Sequence, residues 1–494
     1  MKRVMWIVGL SLGLSLSAAG RSGAQDSVPT FAKDVAPILF NKCISCHRPG
    51  EVAPMSLLTY EQVRPWSKAI KQKTATREMP PWGPDPKFGK FANDMSLSES
   101  QIKVIAAWVD GGAPRGNPAD TPAPPPVATG WTYGEPDYVI SMMGPYSVPP
   151  EGEMPNISFY SPIPFKEDRF ARLLEWRPGN RSAIHHGTAS AVELPAAGKL
   201  NEVGEFIYED GTKENDIQIG RLQRSQRALQ NAVQGLRQGA GRAGIRLTDY
   251  TPGRTAMPVS DPNVGQRLPA GRFVHWGMHY QPTGKPETDQ SRLGIWFTNK
   301  SKVQELYRRQ VGDPLPTAAD KTGFFRVQGV DLPHNTRFVR EELGWPNLEP
   351  NVDNFAVMSV TAITEPITLY GFTPHMHLRG KDKAWFLTLP DGKEQTLLSI
   401  PHYDFNWQNY YELAEPLKIP AGSAISTVAH YNNTATNKYN PSPDKEVFWS
   451  EQSWDEMYCP FIVYTVDSET LKDGQPTTPS IGTGAAPRGQ VKQR

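Results

Sequence analysis

The chain of 494 residues holds only three cysteines, Cys43, Cys46 and Cys459. That scarcity excludes the disulfide-stapled scaffold on which small secreted domains depend. Charge of one sign is also lacking: 52 Lys and Arg against 51 Asp and Glu leave a formal net charge of +1. So even a balance marks neither nucleic acid nor an anionic membrane surface as the main partner. After the N-terminus no stretch approaches the roughly 20 apolar residues of a membrane helix, so no span is expected in the mature chain. What the sequence has in excess is Pro (47) and Gly (42), with 13 Trp and 19 Phe to fill a core. Many turns and heavy aromatic side chains point to a mainly β bulk. The length suggests about three domains at roughly 150 residues each.

The N-terminus reads as a processing signal. Lys2 and Arg3 precede an apolar core from Val4 to Leu16, and Ser22-Gly23-Ala24 offers a small-residue cleavage site. Residues 1–24 are therefore expected to be a signal peptide, and the mature protein to be periplasmic or secreted. Cleavage there removes Lys2, Arg3 and Arg21 and no acid, which takes the net charge from +1 to −2.

Cys43-Ile44-Ser45-Cys46-His47 is the spacing of covalent c-type haem attachment. Each sulfur can form a thioether to a haem vinyl group, and His47 then ligates the iron. Three helical stripes surround it. Phe31, Val35, Ile38 and Leu39 form the first; a second, opening at Pro65, is expected to bury Trp66, Ala69 and Ile70. The third starts after Ser98, with Gln101 set for a capping box, and ends at Gly111-Gly112. Residues 25–112 thus read as a small all-α cytochrome c domain. The sixth iron ligand has three candidates, Met55, Met79 and Met95. Met79 is favoured because Pro80-Pro81-Trp82 would hold its loop extended against the haem face.

Residues 113–130 are a Pro-rich linker. Beyond them the texture changes to short apolar runs between turns: 172–176, 271–280, 292–298, 355–363, 367–372, 384–389 and 460–466. That spacing suits β-sandwich domains, divided here as 131–300 and 301–467. Residues 218–244 interrupt the pattern as a polar insertion, and 468–494 read as a disordered tail. Cys459, left without a partner, is expected to be a buried small hydrophobe.

Ten histidines occur, and their grouping carries information. His185 and His186 are adjacent, His275 and His279 lie four apart, and His375 and His377 alternate. On a strand, His375 and His377 project to one face and can reach one ion. Adjacent His185 and His186 share an ion only where the backbone is irregular or where they bind through different ring nitrogens. Imidazole-rich sites without thiolates suit copper or zinc, and a haem implies one-electron traffic, for which zinc has no redox state. Copper is the better expectation. His334, His402 and His430 are expected to be ordinary hydrogen-bonded histidines. Tyr403, Trp407, Tyr410 and Tyr411 form an aromatic group that suits a cleft lining or core packing equally.

Four motifs stand in one order: Ile184-His185-His186-Gly187, Val274-His275-Trp276-Gly277-Met278-His279-Tyr280, Pro374-His375-Met376-His377-Leu378-Arg379-Gly380 and Asp455-Glu456-Met457-Tyr458-Cys459. Their order resembles the copper type II, ascorbate-dependent monooxygenases, the peptidylglycine α-hydroxylating and dopamine β-monooxygenase family. The resemblance covers about residues 131–466. It implies two jelly-roll-like β-sandwich domains, each with one copper, facing each other across a solvent cleft. By that resemblance the first copper would take His185, His186 and His279, with His275 as runner-up. The second, oxygen-activating copper would take His375, His377 and Met457. The chain departs from the animal members in having almost no cysteine and in its N-terminal cytochrome.

The combined expectation is an exported monooxygenase with one covalent haem c and two coppers, hydroxylating a C–H bond with dioxygen. An external electron donor would feed it through the haem. The alternative is an electron-transfer or copper-binding protein without hydroxylase activity. No motif marks the substrate, small molecule or peptide.

Overall fold

The computed structural model describes residues 28–51, 53–126, 130–152, 154–195, 197–216, 244–252, 256, 261–298, 302–311, 323–327, 338–339, 348–448, 452–469, 471–472 and 475–476. The signal segment, nearly all of the polar insertion, and His334 lie outside them. The described chain is mainly β; the helices from Phe31 to Asp120 precede the first strand, and residues 214–216 are helical as well.

The helical module begins with a π-helical turn, Phe31–Val35, that runs into an α-helix, Ala36–Lys42. Its buried face, Phe31, Val35, Ile38 and Leu39, is the stripe read from the sequence. The second helix starts earlier than expected. Tyr60–Val63 is already helical, Pro65 sits in a 3-10 turn, and Ser67–Ala75 continues. Its buried stripe is Val63, Ser67, Ile70 and Thr74, spaced four, three and four residues apart as a 3.6-residue period requires. Trp66 lies off that stripe and is 44% exposed, and Ala69 is exposed too, against expectation. Glu99–Asp110 opens with the full capping box: Gln101 N–H donates to Ser98 Oγ (3.2 Å) and Ser98 N–H to Gln101 Oε1 (2.9 Å). It buries Ile105 and Trp108 against Phe31 and Leu39.

The linker begins later than residue 113. Phe31 N–H donates to Pro114 O (2.9 Å), Ala32 N–H to Arg115 O (3.0 Å) and Trp108 Nε1 to Pro114 O (3.0 Å). Those bonds strap the start of the linker to the module, because helix N-terminal donors need partners.

Two β units follow, each with its own core. In the first, Asn156–Pro162, Phe273–Tyr280, Ile184–Val192 and Ile245–Tyr250 form one sheet. The facing sheet contains Tyr138–Ser141, Arg292–Phe297, Arg169–Arg177, Val264–Leu268 and Lys302–Glu305. Trp176, Trp276, Phe159, Leu293 and Ile295 fill the space between. The second unit pairs Tyr307–Gln310, Tyr458–Val466, Ile367–Met376 and Tyr411–Ile419 in one sheet. Its other sheet includes Phe355–Ala362, Ala424–Tyr431, Gly380–Thr388 and Glu394–Ile400. Phe372, Trp385, Leu398, Tyr411 and Ile462 fill that core. Every apolar run singled out in the sequence falls on a strand.

Two boundaries move. Lys302–Glu305 pairs in parallel with Val264–Leu268 of the first unit, whereas Tyr307–Gln310 pairs with Tyr458–Val466 of the second. The crossing is therefore at Leu306 and not after residue 300. The expected tail also begins inside the fold: Leu471 pairs with Val303, and buried Glu469 accepts Tyr307 Oη–H at 2.7 Å. A buried carboxylate needs such a donor, which ties the chain down past residue 468. Residues 477–494 lie outside the described ones.

The helical module docks on both β units. Ala92 N–H donates to Glu412 O, Ala414 N–H to Lys90 O and Asp85 N–H to Ser399 O, each at 2.8 Å. Trp82 and Phe91 pack on Tyr411, with ring centroids 5.1 and 5.8 Å away. On the other side Arg181 of the first β unit pairs with Glu51, which also holds Arg48 just past His47.

Candidate metal centre

The central strand Phe273–Tyr280 of the first unit sets out one ligand set. It pairs with Ile184–Val192 so that His279 faces His186 and Tyr280 faces Ile184. His185 is therefore an extra residue, a β-bulge against one partner. A regular strand would send His185 and His186 to opposite faces; the bulge turns both to the His279 side. Their Nδ1 atoms lie 3.0 Å apart. One ring nitrogen from each of His185, His186 and His279 lies within 4.8 Å of the other two, a spacing that can hold one metal ion. His275 is elsewhere along the strand, with Nε2 2.9 Å from Ser158 Oγ and its ring on Tyr160.

The second set comes from Ile367–Met376 and the residues flanking Tyr458–Val466. His375 pairs with Cys459, which brings Met457 to the end of the same ladder. His375 Nε2 is 3.2 Å from Met457 Sδ, and the His375 and His377 rings are 5.0 Å apart. Two imidazoles and a thioether converge here, a softer set than the first.

Burial dominates the electrostatics. It is the largest cause lowering all five imidazoles, His279 to about 3 and His375 to about 4, so each is neutral at pH 7 and able to serve as a ligand. Mutual repulsion adds to it: His186 feels His279 and His185, and also His375 and His377 of the other unit. The sets are that close. The rings of His186 and His375 are 6.3 Å apart, so the two units meet at the ligands, where the resemblance implied a solvent cleft.

The loop bearing Met457 is clamped to the loop bearing His377. Buried Glu456 accepts the N–H groups of His377 (2.9 Å), Arg379 (2.6 Å) and Met457 (3.2 Å). Arg379, also buried, donates to Asn433 Oδ1 (2.9 Å) and Trp454 O (2.8 Å), and its charge favours the ionised form of Glu456 against the burial that raises that carboxyl to about 7. Tyr431 Oη–H donates to Met457 O at 2.9 Å. Lys383 donates to His375 O (3.2 Å) and lies 4.4 Å over the Tyr458 ring; burial brings its amine down to about 7.

His430 pairs with Asp382 at 2.5 Å and lies off both ligand sets. His402 is exposed, and Cys459 is buried. Tyr410 and Tyr411 are core residues, while Tyr403 Oη bonds the backbone of Met376. Phe405 instead reaches the histidines, with ring centroids 5.3 Å from His185, 5.8 Å from His186 and 5.7 Å from His377. Its place was not readable, since it stands between motifs in a loop.

In the helical module, Cys43 and Cys46 are free thiols at the end of the first helix. Burial pushes the Cys43 thiol up to about 12 and raises Cys46 as well. His47 Nδ1 faces Met55 O at 3.3 Å, which turns Nε2 away from that carbonyl. Met55 packs beside Cys43 on the module core. Met79 follows Ser67–Ala75, its N–H donating to Lys73 O (3.1 Å).

No protein-family model matches the chain, and no curated protein does. Among solved structures, PNGF-II is similar over 67% of this chain and 65% of its own, at 10% identity and a TM-score of 0.25. An allantoicase is similar over 58% of this chain and 80% of its own, at 8% identity and a TM-score of 0.14. Likenesses this weak carry no argument about site or activity.

Proposed function

We propose that this chain is an exported, haem-containing copper monooxygenase of the type II, ascorbate-dependent class. Its two β units would be the jelly-roll-like domains of that class and its helical module a cytochrome c. One observation carries the reading: three imidazoles meet at one point, and two imidazoles with a thioether meet beside them.

The donor sets fit copper. The groups brought together are neutral imidazoles and a thioether. Copper bound there would supply one-electron redox steps and activation of dioxygen. His185, His186 and His279 would hold the first ion; His375, His377 and Met457 the second. Glu456 and Arg379 keep the second set rigid by fixing the backbone of His377 and Met457, and Phe405 excludes water from between the imidazoles. Cys43 and Cys46 would anchor the haem and His47 its iron, with Met79 as the opposite ligand.

The haem attachment loop abuts the first unit through the Glu51–Arg181 pair, four residues before His185. Burial raises the hydroxyl pKa of Tyr250, which feels the charges of Arg181, Glu51 and Cys46 and pairs across the sheet with Gly187. That contact would set a haem bound at Cys43, Cys46 and His47 beside the strand that carries His185 and His186. Oxygen uptake coupled to a hydroxylated product, with a reductant that reduces the haem, is the test. Full copper and haem loading with no oxygen uptake for any C–H substrate screened would favour an electron-transfer protein.

A further inference from the structure

One turn of the second β unit touches both ligand sets. It runs Asp404-Phe405-Asn406-Trp407-Gln408, and its two side-chain amides are each pinned by a donor contact. Asn406 Nδ2 donates to Asp404 Oδ1 at 2.9 Å, and Gln408 Nε2 donates to Phe405 O at 2.9 Å. With each NH2 committed, each amide presents its oxygen, an obligate acceptor, to a histidine.

The two oxygens select ring nitrogens. Asn406 Oδ1 lies 3.3 Å from His185 Nε2, so Nε2 carries the proton and Nδ1 is left bare. That bare Nδ1 is the atom 3.0 Å from His186 Nδ1. Gln408 Oε1 bonds His375 Nδ1, so there Nε2 is bare. It is the atom 3.2 Å from Met457 Sδ. In each case the nitrogen freed by the amide is the one that faces the other ligands.

We propose that this turn is a shared positioning element, in which Asn406 fixes the ligand nitrogen of His185 and Gln408 that of His375. The first metal site therefore depends on a side chain from the other β unit. Phe405, between them, seals the junction. The proposal rests on the metal-binding reading above. An outer partner that fixes tautomer and ring orientation changes metal affinity by about 10- to 100-fold.

The test uses the full haem-loaded chain with ¹⁵N-labelled histidine. Long-range ¹⁵N–¹H spectra of the copper-free protein should show His185 protonated at Nε2 and His375 at Nδ1. Asn406→Leu should scramble the first tautomer alone, and Gln408→Met the second alone. Copper(I) is then titrated against a competing chelator in two backgrounds. With His377→Ala, which leaves the first site complete, Asn406→Leu should weaken binding at least tenfold and Gln408→Met less than twofold. With His186→Ala the order should reverse. Unchanged tautomers, or equal losses from both substitutions in both backgrounds, would overturn the proposal while leaving the metal sites standing. No copper binding in either parent would remove the metal reading and the proposal together.

Discussion

The Nδ1 atoms of His185 and His186, neighbours in sequence on one strand, lie 3.0 Å apart. Adjacent strand residues point to opposite faces, so this approach exists only because His185 is the extra residue of a bulge opposite His279. The bulge re-aims one imidazole and completes a three-nitrogen cluster that the regular strand would leave with two.

The cluster separates two histidines that the sequence leaves equivalent. His279→Ala should remove one copper equivalent from the purified protein, whereas His275→Ala should retain both. Metal analysis of the two variants side by side checks this. Equal copper loss from both would mean that the bulge geometry does not set the ligands.

Buried Glu456 holds three backbone N–H groups and feels the charge of buried Arg379, whose guanidinium bonds Asn433 Oδ1 and Trp454 O. Arg379→Met removes that charge and leaves Asn433 Oδ1 and Trp454 O without their donor, and should cost about 1.5–3 kcal/mol. Denaturant unfolding of the second β unit, followed by tryptophan fluorescence, reads the loss. A change under about 1 kcal/mol would contradict that role for Arg379.

Stability of the metal-free protein should fall on acidification. In the folded state burial holds His279 to about 3 and His375 to about 4, while the unfolded chain titrates at the ordinary 6.5. Below pH 6.5 the unfolded state therefore binds protons that the folded state refuses, and stability drops as pH falls until the folded values are reached. Each of these groups contributes up to about 2 kcal/mol of loss between pH 6.5 and 5. Urea midpoints at pH 7 and 5 measure it. Copper should oppose the loss, since it binds only the neutral ring.

The helical module is held to the second unit by Trp82 and Phe91 against Tyr411. Phe91→Ala should cost about 3 kcal/mol of docking and packing. Limited proteolysis should then cut between residues 80 and 95, where the parent protein resists.

Sequence periodicity exposed the strands because apolar runs bounded by turns survive burial on both faces. It exposed His375 and His377 because a two-residue spacing is itself geometry. It could not show that His185 joins His186, since that depends on pairing register, nor that His275 is excluded. Trp66 was misplaced because a 3-10 turn shifts the helical stripe beside it. Phe405, Asn406 and Gln408 had no pattern at all; their role comes from two β units meeting. Nothing in the sequence marks Arg379 and Glu456 as buried; tertiary contacts bury them.

The measurement closest to the central claim is metal content of the purified, haem-loaded protein, with electron paramagnetic resonance of its oxidised form. The account predicts two coppers per haem, one of them lost in a His375→Ala/His377→Ala variant and the other in His186→Ala. Haem without stoichiometric copper would contradict it, leaving the five imidazoles as a buried structural cluster.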